Sequence, residues 1–121
     1  MKYLCQVWLD GTKLDAMPQP EKSRLDRDSL EYDRELDRAG HFITAEALQA
    51  PSTAVTVRVR NGKISTTDGP FIETKEHLGG FILIEARDLN DAIRIASGIP
   101  LAKLGAIEVR PIYTIEVERS P

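Results

Sequence analysis

Two short apolar runs constrain the fold of this chain more than any other feature of its sequence. They extend from Tyr3 to Leu9 and from Phe81 to Ala86, and each is interrupted by only one polar residue. An extended segment that is apolar on both parities is typical of a strand covered on both faces. We therefore predict that both runs lie in the centre of one sheet.

Length and composition indicate an ordinary globular chain. Its 121 residues suffice for one domain, 1–121, and 41% hydrophobic with 29% charged residues argues against disorder. No stretch approaches the roughly 20 apolar residues of a membrane span. The N-terminal run is also too short for a secretion signal and is followed at once by Asp10. We expect a cytoplasmic protein without a membrane partner.

Charge and ligand-forming residues exclude several classes of function. With 16 basic and 19 acidic residues the net charge is -3, so the chain lacks a positive field to attract nucleic acid. Two histidines and one cysteine lack the clustered spacing of metal ligands, and Cys5 lies in an apolar run as a buried thiol would. There is no glycine-rich phosphate loop. We predict no metal and no cofactor.

Two amphipathic segments predict helices. The first begins near Glu21 to Ser23, with Ser23 and Asp26 in the positions of a capping box, and ends at Gly40, where a left-handed cap is expected. The second follows Asp88 and stops at Gly98. Steps of three and four residues predict buried stripes of Leu25, Ser29, Tyr32, Leu36 and Ala39 in the first helix and Leu89, Ala92, Ile93 and Ala96 in the second.

The segment between the helices contains a hairpin signal. Residues 54–60 alternate strictly, with valines at positions 55, 57 and 59 on one face. Asn61-Gly62 supplies the positive φ angles of a type I′ turn, which would place Val59 opposite Ile64. We predict a half-buried hairpin.

The order of these elements predicts the fold class. The last alternating segment, residues 107–117, contains Pro111, which cannot donate a ladder hydrogen bond and so favours an edge strand. The whole order indicates an α+β fold of the ferredoxin-like split βαβ type, βαββαβ with an inserted β-hairpin. Two helices can cover only one side of this sheet. A second copy is the simplest cover for the other side, so we predict a homodimer.

A specific motif follows the hairpin. It reads Asp68-Gly69-Pro70-Phe71-Ile72-Glu73-Thr74-Lys75-Glu76 and continues with Leu78-Gly79-Gly80-Phe81. The motif closely resembles the signature of DGPF-domain proteins, which are relatives of the YCII family, and further likeness covers most of the chain after residue 45. The resemblance implies a dimeric α+β barrel with ferredoxin-like protomers.

The resemblance implies less about activity. Some YCII relatives use a His and Asp pair in a cleft beside the sheet, whereas most DGPF-domain proteins have no established reaction. The position of the family histidine corresponds to Ser29 in this chain. A serine hydroxyl cannot act as a general base without a partner that takes its proton, so we do not expect the His/Asp mechanism to transfer directly.

The motif also supplies the candidate catalytic residues. If residues 71–77 are extended, Phe71 shares one face with Glu73, Lys75 and His77. Glu73 could accept a proton, Lys75 could bind an anion, and His77 could titrate near neutral pH. Asp68 completes the catalytic set, and the candidate ligand contacts are Ser29, Tyr32 and Phe71.

Each candidate also has a structural interpretation. Asp68-Gly69-Pro70 is a turn sequence, and Glu73 with Lys75 fits a surface ion pair. Ser29 could bond back to its own helix, and Tyr32 could be a core residue. Two hypotheses therefore stand. The first is binding of a small polar or carboxylated molecule in a cleft beside the sheet, with acid–base chemistry on it. The second is a non-catalytic interaction or regulatory module.

Overall fold

A computed structural model describes residues 1–116 of the chain. The strands and helices follow in the order β1 Lys2–Asp10, α1 Gly11–Asp15, α2 Gln19–Arg38, β2 Phe42–Ala47, β3 Val55–Arg60, β4 Lys63–Asp68, β5 Glu76–Glu85, α3 Leu89–Ser97 and β6 Ala106–Pro111. Short 3-10 turns occur at Pro51–Thr53 and Pro100–Lys103. None of the helices in this part of the chain is long and apolar enough to cross a membrane.

The main sheet has four antiparallel strands in the order β2-β5-β1-β6. The two strands that contain the apolar runs, β1 and β5, occupy its centre, as predicted. Together with α2 and α3 the sheet forms a split βαβ unit, so the α+β, ferredoxin-like prediction is confirmed. The strand with Pro111 pairs only with β1 and lies at the edge, also as predicted.

The identity of the second edge strand was not predicted. It is β2, which pairs with β5, whereas the hairpin β3–β4 forms a separate two-stranded sheet. Ile43 forms a bulge at the start of β2, because the register shifts between Phe42 and Thr44. An extra residue breaks the period of two by which a strand is recognised in a sequence. Gly80 allows the close approach of β2, since a Cβ there would lie 2.7 Å from the Glu46 carbonyl oxygen.

The hairpin has the predicted register and an unpredicted environment. Val59 pairs with Ile64, and both turn residues, Asn61 and Gly62, have positive φ. The valines were expected to be half-buried, and this is wrong, since they are 55–60% exposed. The prediction failed because alternation identifies one apolar face and carries no information about what covers that face.

The long helix starts earlier than predicted. It begins at Gln19, with Pro18 as N-cap and Pro20 in the first turn, and no side chain caps it. Proline suits the first turn of a helix because the missing N–H would have no partner there. The Ser23 capping box is therefore wrong, whereas the predicted end is confirmed by Gly40 at φ 81°.

The stripe of α3 was predicted only in part. Ala92 and Ala96 are buried, but Leu89 and Ile93 are half exposed, and the residues buried beside the alanines are Asp91 and Ile95. Asp91 accepts hydrogen bonds from the backbone N–H of Arg87 and from the side chain of Arg94. These bonds make burial of the carboxylate tolerable, so a charged residue lies on the buried face where the sequence pattern predicted apolar ones.

The last strand is shorter than predicted. It ends at Pro111, and residues 112–116 are not part of a strand. The predicted Val117 lies outside the described residues. The N–H of Ile112 still donates to Lys2 O at 2.9 Å, but the alternation after it does not correspond to an assigned strand within residues 113–116.

The two faces of the main sheet are unequally covered. On one face Tyr3, Cys5, Val7 and Leu9 of β1 are at most 5% exposed, and they pack with buried residues of α2 and α3 such as Leu36 and Ile95. The other face, here called the open face, is half-buried and includes Leu4, Gln6, Trp8, Phe81 and Leu83. No helix covers the open face within residues 1–116.

Candidate functional site

A cleft of about 570 Å³ lies between the base of the hairpin and the end of the sheet. We call it the hairpin cleft. Trp8 and Leu78 form its sheet side, and residues 48–51 after β2 form another wall. The motif contributes Pro70, Phe71 and Ile72. The wall is thus mostly apolar, and its polar side chains within the described residues are Gln49, Thr53, Thr74 and His77.

Local hydrogen bonds and one ring contact shape the motif side of the cleft. Gly69 has φ 100°, donates its N–H to Ala54 O at 2.8 Å and accepts from Thr56 Oγ1 at 3.0 Å. These bonds close the base of the hairpin. The guanidinium of Arg58 then lies 5.1 Å from the centroid of the Phe71 ring, a distance typical of a cation–π contact.

His77 enters the hairpin cleft from the start of β5. It stands opposite Leu9, and its ring lies against Gly11, where an added Cβ would be 3.1 Å from Cε1. The ring is half-buried, and it is the one ionisable side chain of the cleft wall within residues 1–116. A ring nitrogen in this position could donate to or accept from one polar group of a ligand.

The other motif residues do not converge on this cleft. The chain bends at Phe71 and Ile72, and strand β5 begins only at Glu76, so the predicted common face of residues 71, 73, 75 and 77 is wrong. Phe71 and His77 do line the same cleft. Glu73 is exposed, and Asp68 pairs with Val55 at the end of β4, so neither belongs to the wall.

Lys75 forms an ion pair instead of facing the hairpin cleft. Its Nζ lies 3.8 Å from Oδ2 of Asp10, a buried carboxylate at the end of β1. The side chain of Asp10 also accepts from the hydroxyl and the backbone N–H of Thr12, at 2.7 and 3.0 Å. These two hydrogen bonds, assisted by the charge of Lys75, hold the pKa of Asp10 below its ordinary value. The lysine is 84% exposed, so the pair links the motif to β1 at the surface.

Tyr32 and Ser29 occupy different surroundings. The Tyr32 hydroxyl donates to the carbonyl oxygen of Ile95 at 2.6 Å, and its ring covers Gly98, so it joins α2 to α3. Burial raises the pKa of Tyr32. Ser29 lines a second cleft, also about 570 Å³, between α2 and the β2 edge of the sheet. We call this space the helix cleft.

The helix cleft contains a titratable residue that the sequence analysis missed. Asp33 lies one helical turn after Ser29 and lines the same cleft, together with the apolar residues Val7, Ile82 and Leu101. Burial raises the pKa of Asp33. The signal in the sequence was the spacing of four residues between Ser29 and Asp33. The same helix contains many surface acids and bases, and the sequence does not distinguish Asp33 from them.

The hairpin cleft also contains residues that were not predicted. Leu48 and Gln49 come from a segment without a recognisable periodicity. Leu78 belongs to the motif but was not named as a site residue, and Trp8 was assigned to a strand face rather than to a site. The alternation of β1 was the only signal for Trp8, because it places this side chain on the face opposite Val7.

Within the described residues there is no group of three or more His, Cys, Asp or Glu side chains that could hold a metal ion. Cys5 is buried in the core as predicted, and burial raises the pKa of its thiol to about 11. A thiol with so high a pKa is almost entirely protonated at neutral pH and is a poor nucleophile.

Comparisons with known proteins agree with the fold and motif. The family model of the YCII-related domain matches residues 1–116. A relative in Rhizobium meliloti (strain 1021), "Uncharacterized protein R00369", is 33% identical over 114 residues, which cover 93% of this chain and 92% of the relative. The match over almost the whole chain, with the motif of residues 68–81 in place, means that this protein belongs to the YCII-related family.

Proposed function

We propose that this protein binds a small molecule with a flat apolar body and one polar group in the hairpin cleft. The observation that carries the proposal is the makeup of the wall, in which aromatic and aliphatic side chains surround a single imidazole, His77. The volume of about 570 Å³ lies within the range of sites for drug-sized ligands. Such sites use a few polar groups for orientation and apolar area for affinity.

The residues of the cleft wall favour a more apolar ligand than the small polar molecule expected from the sequence. Trp8 and Phe71 offer rings for stacking, and Ile72 with Leu78 offers aliphatic surface. A ligand that is polar throughout would lose water here without regaining hydrogen bonds, and that costs free energy. The ligand expected from the sequence is small and polar or carboxylated, and a carboxylate or hydroxyl could bind at the His77 end of the cleft. An aryl carboxylate is therefore the simplest probe.

The test is a titration of the full chain with naphthalene-2-carboxylate, followed by the fluorescence of Trp8, the only tryptophan. We expect saturable quenching, and His77→Leu should weaken binding about 10-fold or more, since it removes a hydrogen bond to a charged group. His41→Leu is the matched control, because His41 bonds Glu85 O at the other end of β5. Glu73→Ala should leave the affinity unchanged. Equal losses in the two histidine variants would contradict the proposal.

The competing proposal is a non-catalytic interaction or regulatory module. In that case the motif serves only to close the base of the hairpin through Gly69 and to fix Lys75 on Asp10. The same experiment separates the two proposals. If naphthalene-2-carboxylate and a panel of related aryl carboxylates cause neither saturable quenching nor a thermal shift, the module is favoured.

Acid–base chemistry is a second candidate function, and it belongs to the helix cleft. The supporting observation is Asp33, whose burial raises its pKa in a cleft that Ser29 and several apolar residues also line. A carboxyl group whose pKa is raised toward neutral pH is suited to give and take protons. Groups with shifted pKa values in clefts are candidate functional residues. Ser29 could orient a substrate group there by hydrogen bonding.

We also propose that the protein is a homodimer in which two open faces pack together. The open face displays Leu4, Trp8, Phe81 and Leu83, and they are only half-buried in a single chain. Burial of apolar surface is the main driving force of association, and two-fold symmetry is its commonest arrangement. Trp8 belongs to both the open face and the hairpin cleft, so the cleft would lie at the rim of the interface.

A further inference from the structure

The hairpin β3–β4 has two chemically different faces. One face carries Val55, Val57, Val59 and Ile64, which are exposed to 57%, 60%, 55% and 74%. We call it the valine face. The other face carries the cations Arg58, Arg60 and Lys63. The hairpin is therefore amphipathic, as a strand pair is when one of its faces is covered.

Nothing in the described part of the chain covers the valine face. Every residue of β3 and β4 except Thr56 is exposed. An isolated two-stranded hairpin is marginally stable in water, and contiguous exposed apolar side chains such as these four often mark an interaction site. Both facts indicate that another surface packs against the valine face.

The surface area of the chain indicates how large that partner surface is. The chain exposes 9123 Å². A compact monomer of 13.5 kDa exposes roughly 6500 Å², so the excess is about 2600 Å². The exposed side chains of the hairpin contribute to it, and so do those of residues 112–116, where Tyr113 is 85% exposed. A standard interface takes about 800 Å² from each partner, so the excess is ample for a stable dimer.

We propose that the hairpin is an arm whose valine face packs on a second copy of this chain, beside the partner's open face. The inference rests on the dimer proposed above. A second copy is the fitting occupant because each chain carries both apolar surfaces, and a two-fold arrangement covers the two arms and the two open faces together. An unrelated protein would have to supply a complementary surface for the valine face and another for the open face.

The dimensions and charges of the arm fit this arrangement. A six-residue strand is about 20 Å long, and four strands span about 14 Å from first axis to last, so the arm is long enough to extend alongside the partner's open face. Its basic face then points to solvent and keeps Arg60 and Lys63 hydrated. Phe71 contacts Arg58 at the base of the arm, so a seated arm also fixes the motif wall of the hairpin cleft.

The test compares two substitutions that add the same charge to opposite faces of the arm. Val57→Lys places an ammonium in the valine face, and Thr67→Lys places one on the basic face, where Thr67 pairs with Thr56. Sedimentation velocity over a range of micromolar concentrations measures the dimer Kd. We expect Val57→Lys to raise it at least about 100-fold, since each substitution occurs twice in the dimer. Thr67→Lys should change it less than about threefold.

The outcomes separate the arm from the dimer itself. A dimeric wild type with an unchanged Kd in Val57→Lys would overturn the arm and leave the packing of open faces intact. A monomeric wild type would overturn both the arm and the packing of open faces. That result is also the one expected if the valine face binds an unrelated protein. Far-UV circular dichroism and a cooperative melt of each variant verify the fold. Both substitutions are at exposed positions of the arm and should leave the fold intact.

Discussion

Replacement of Tyr32 by Phe should destabilise the fold without affecting ligand binding. The hydroxyl donates to Ile95 O at 2.6 Å in a partly buried place, and it is the polar link between α2 and the end of α3. A hydrogen bond of this kind contributes about 1 ± 0.5 kcal/mol net. After the substitution Ile95 O still accepts from Gly98 N at 3.1 Å, so the larger cost of an orphaned carbonyl does not arise.

A small void above Gly98 adds to the loss, because the hydroxyl fills the space beside that glycine. We therefore expect Tyr32→Phe to lower the free energy of unfolding by about 1 to 1.5 kcal/mol, and the melting temperature by about 3 to 8 °C. In urea the midpoint should fall by about 0.5 to 1 M with an unchanged m-value. Trp8 fluorescence and circular dichroism at one fixed protein concentration measure both quantities.

The control is Tyr113→Phe, which makes the same chemical change on a side chain that is 85% exposed. It should alter the free energy of unfolding by less than about 0.5 kcal/mol. If Tyr32→Phe unfolds at the wild-type midpoint, the hydrogen bond contributes nothing. If it keeps wild-type stability but loses affinity for naphthalene-2-carboxylate, Tyr32 belongs to the ligand site and its structural role is refuted.

Two further predictions concern pH and have opposite signs. The N–H of Arg87, followed by the Arg94 side chain, lowers the pKa of Asp91 to about 2, so its stabilising effect is full above about pH 4 and is lost as pH falls toward 2. Asp91→Asn should lower the urea midpoint at neutral pH and not at about pH 2; an equal loss at both would show that charge is irrelevant. Burial raises the pKa of Asp33, so its charge costs stability at neutral pH and this cost disappears below about pH 4. Asp33→Asn should stabilise the protein by up to about 0.5 kcal/mol in neutral urea titrations and not in acid, and a loss at neutral pH would contradict the assignment.

Local sequence was sufficient for features that one strand or turn decides alone. The two apolar runs identified the central strands, and Asn61-Gly62 fixed the register of Val59 with Ile64. Steric requirements of the backbone and the period of a strand act over a few residues, so these features are legible without a structure. The left-handed Gly40 belongs to the same class.

The site could be predicted only in fragments. Phe71 and His77 were named from the motif and share a cleft, but the extended face that was to join them with Glu73 and Lys75 does not form. Lys75 instead forms an ion pair with Asp10, a buried carboxylate at the end of β1. No local pattern relates positions 10 and 75, because their meeting depends on how β1 and β5 pair.

The sequence by itself determined the α+β class, the central pair of strands, the turn of the hairpin and the family motif, since each depends on neighbouring residues and on burial preferences of single elements. Only the tertiary structure decided that β2 completes the sheet, that the valine face remains uncovered, and that Ser29 and His77 line different clefts. The physical reason is that burial and site geometry depend on contacts between residues far apart in the chain. Such contacts are set by the packing of whole elements, which the alternation within any one of them does not encode.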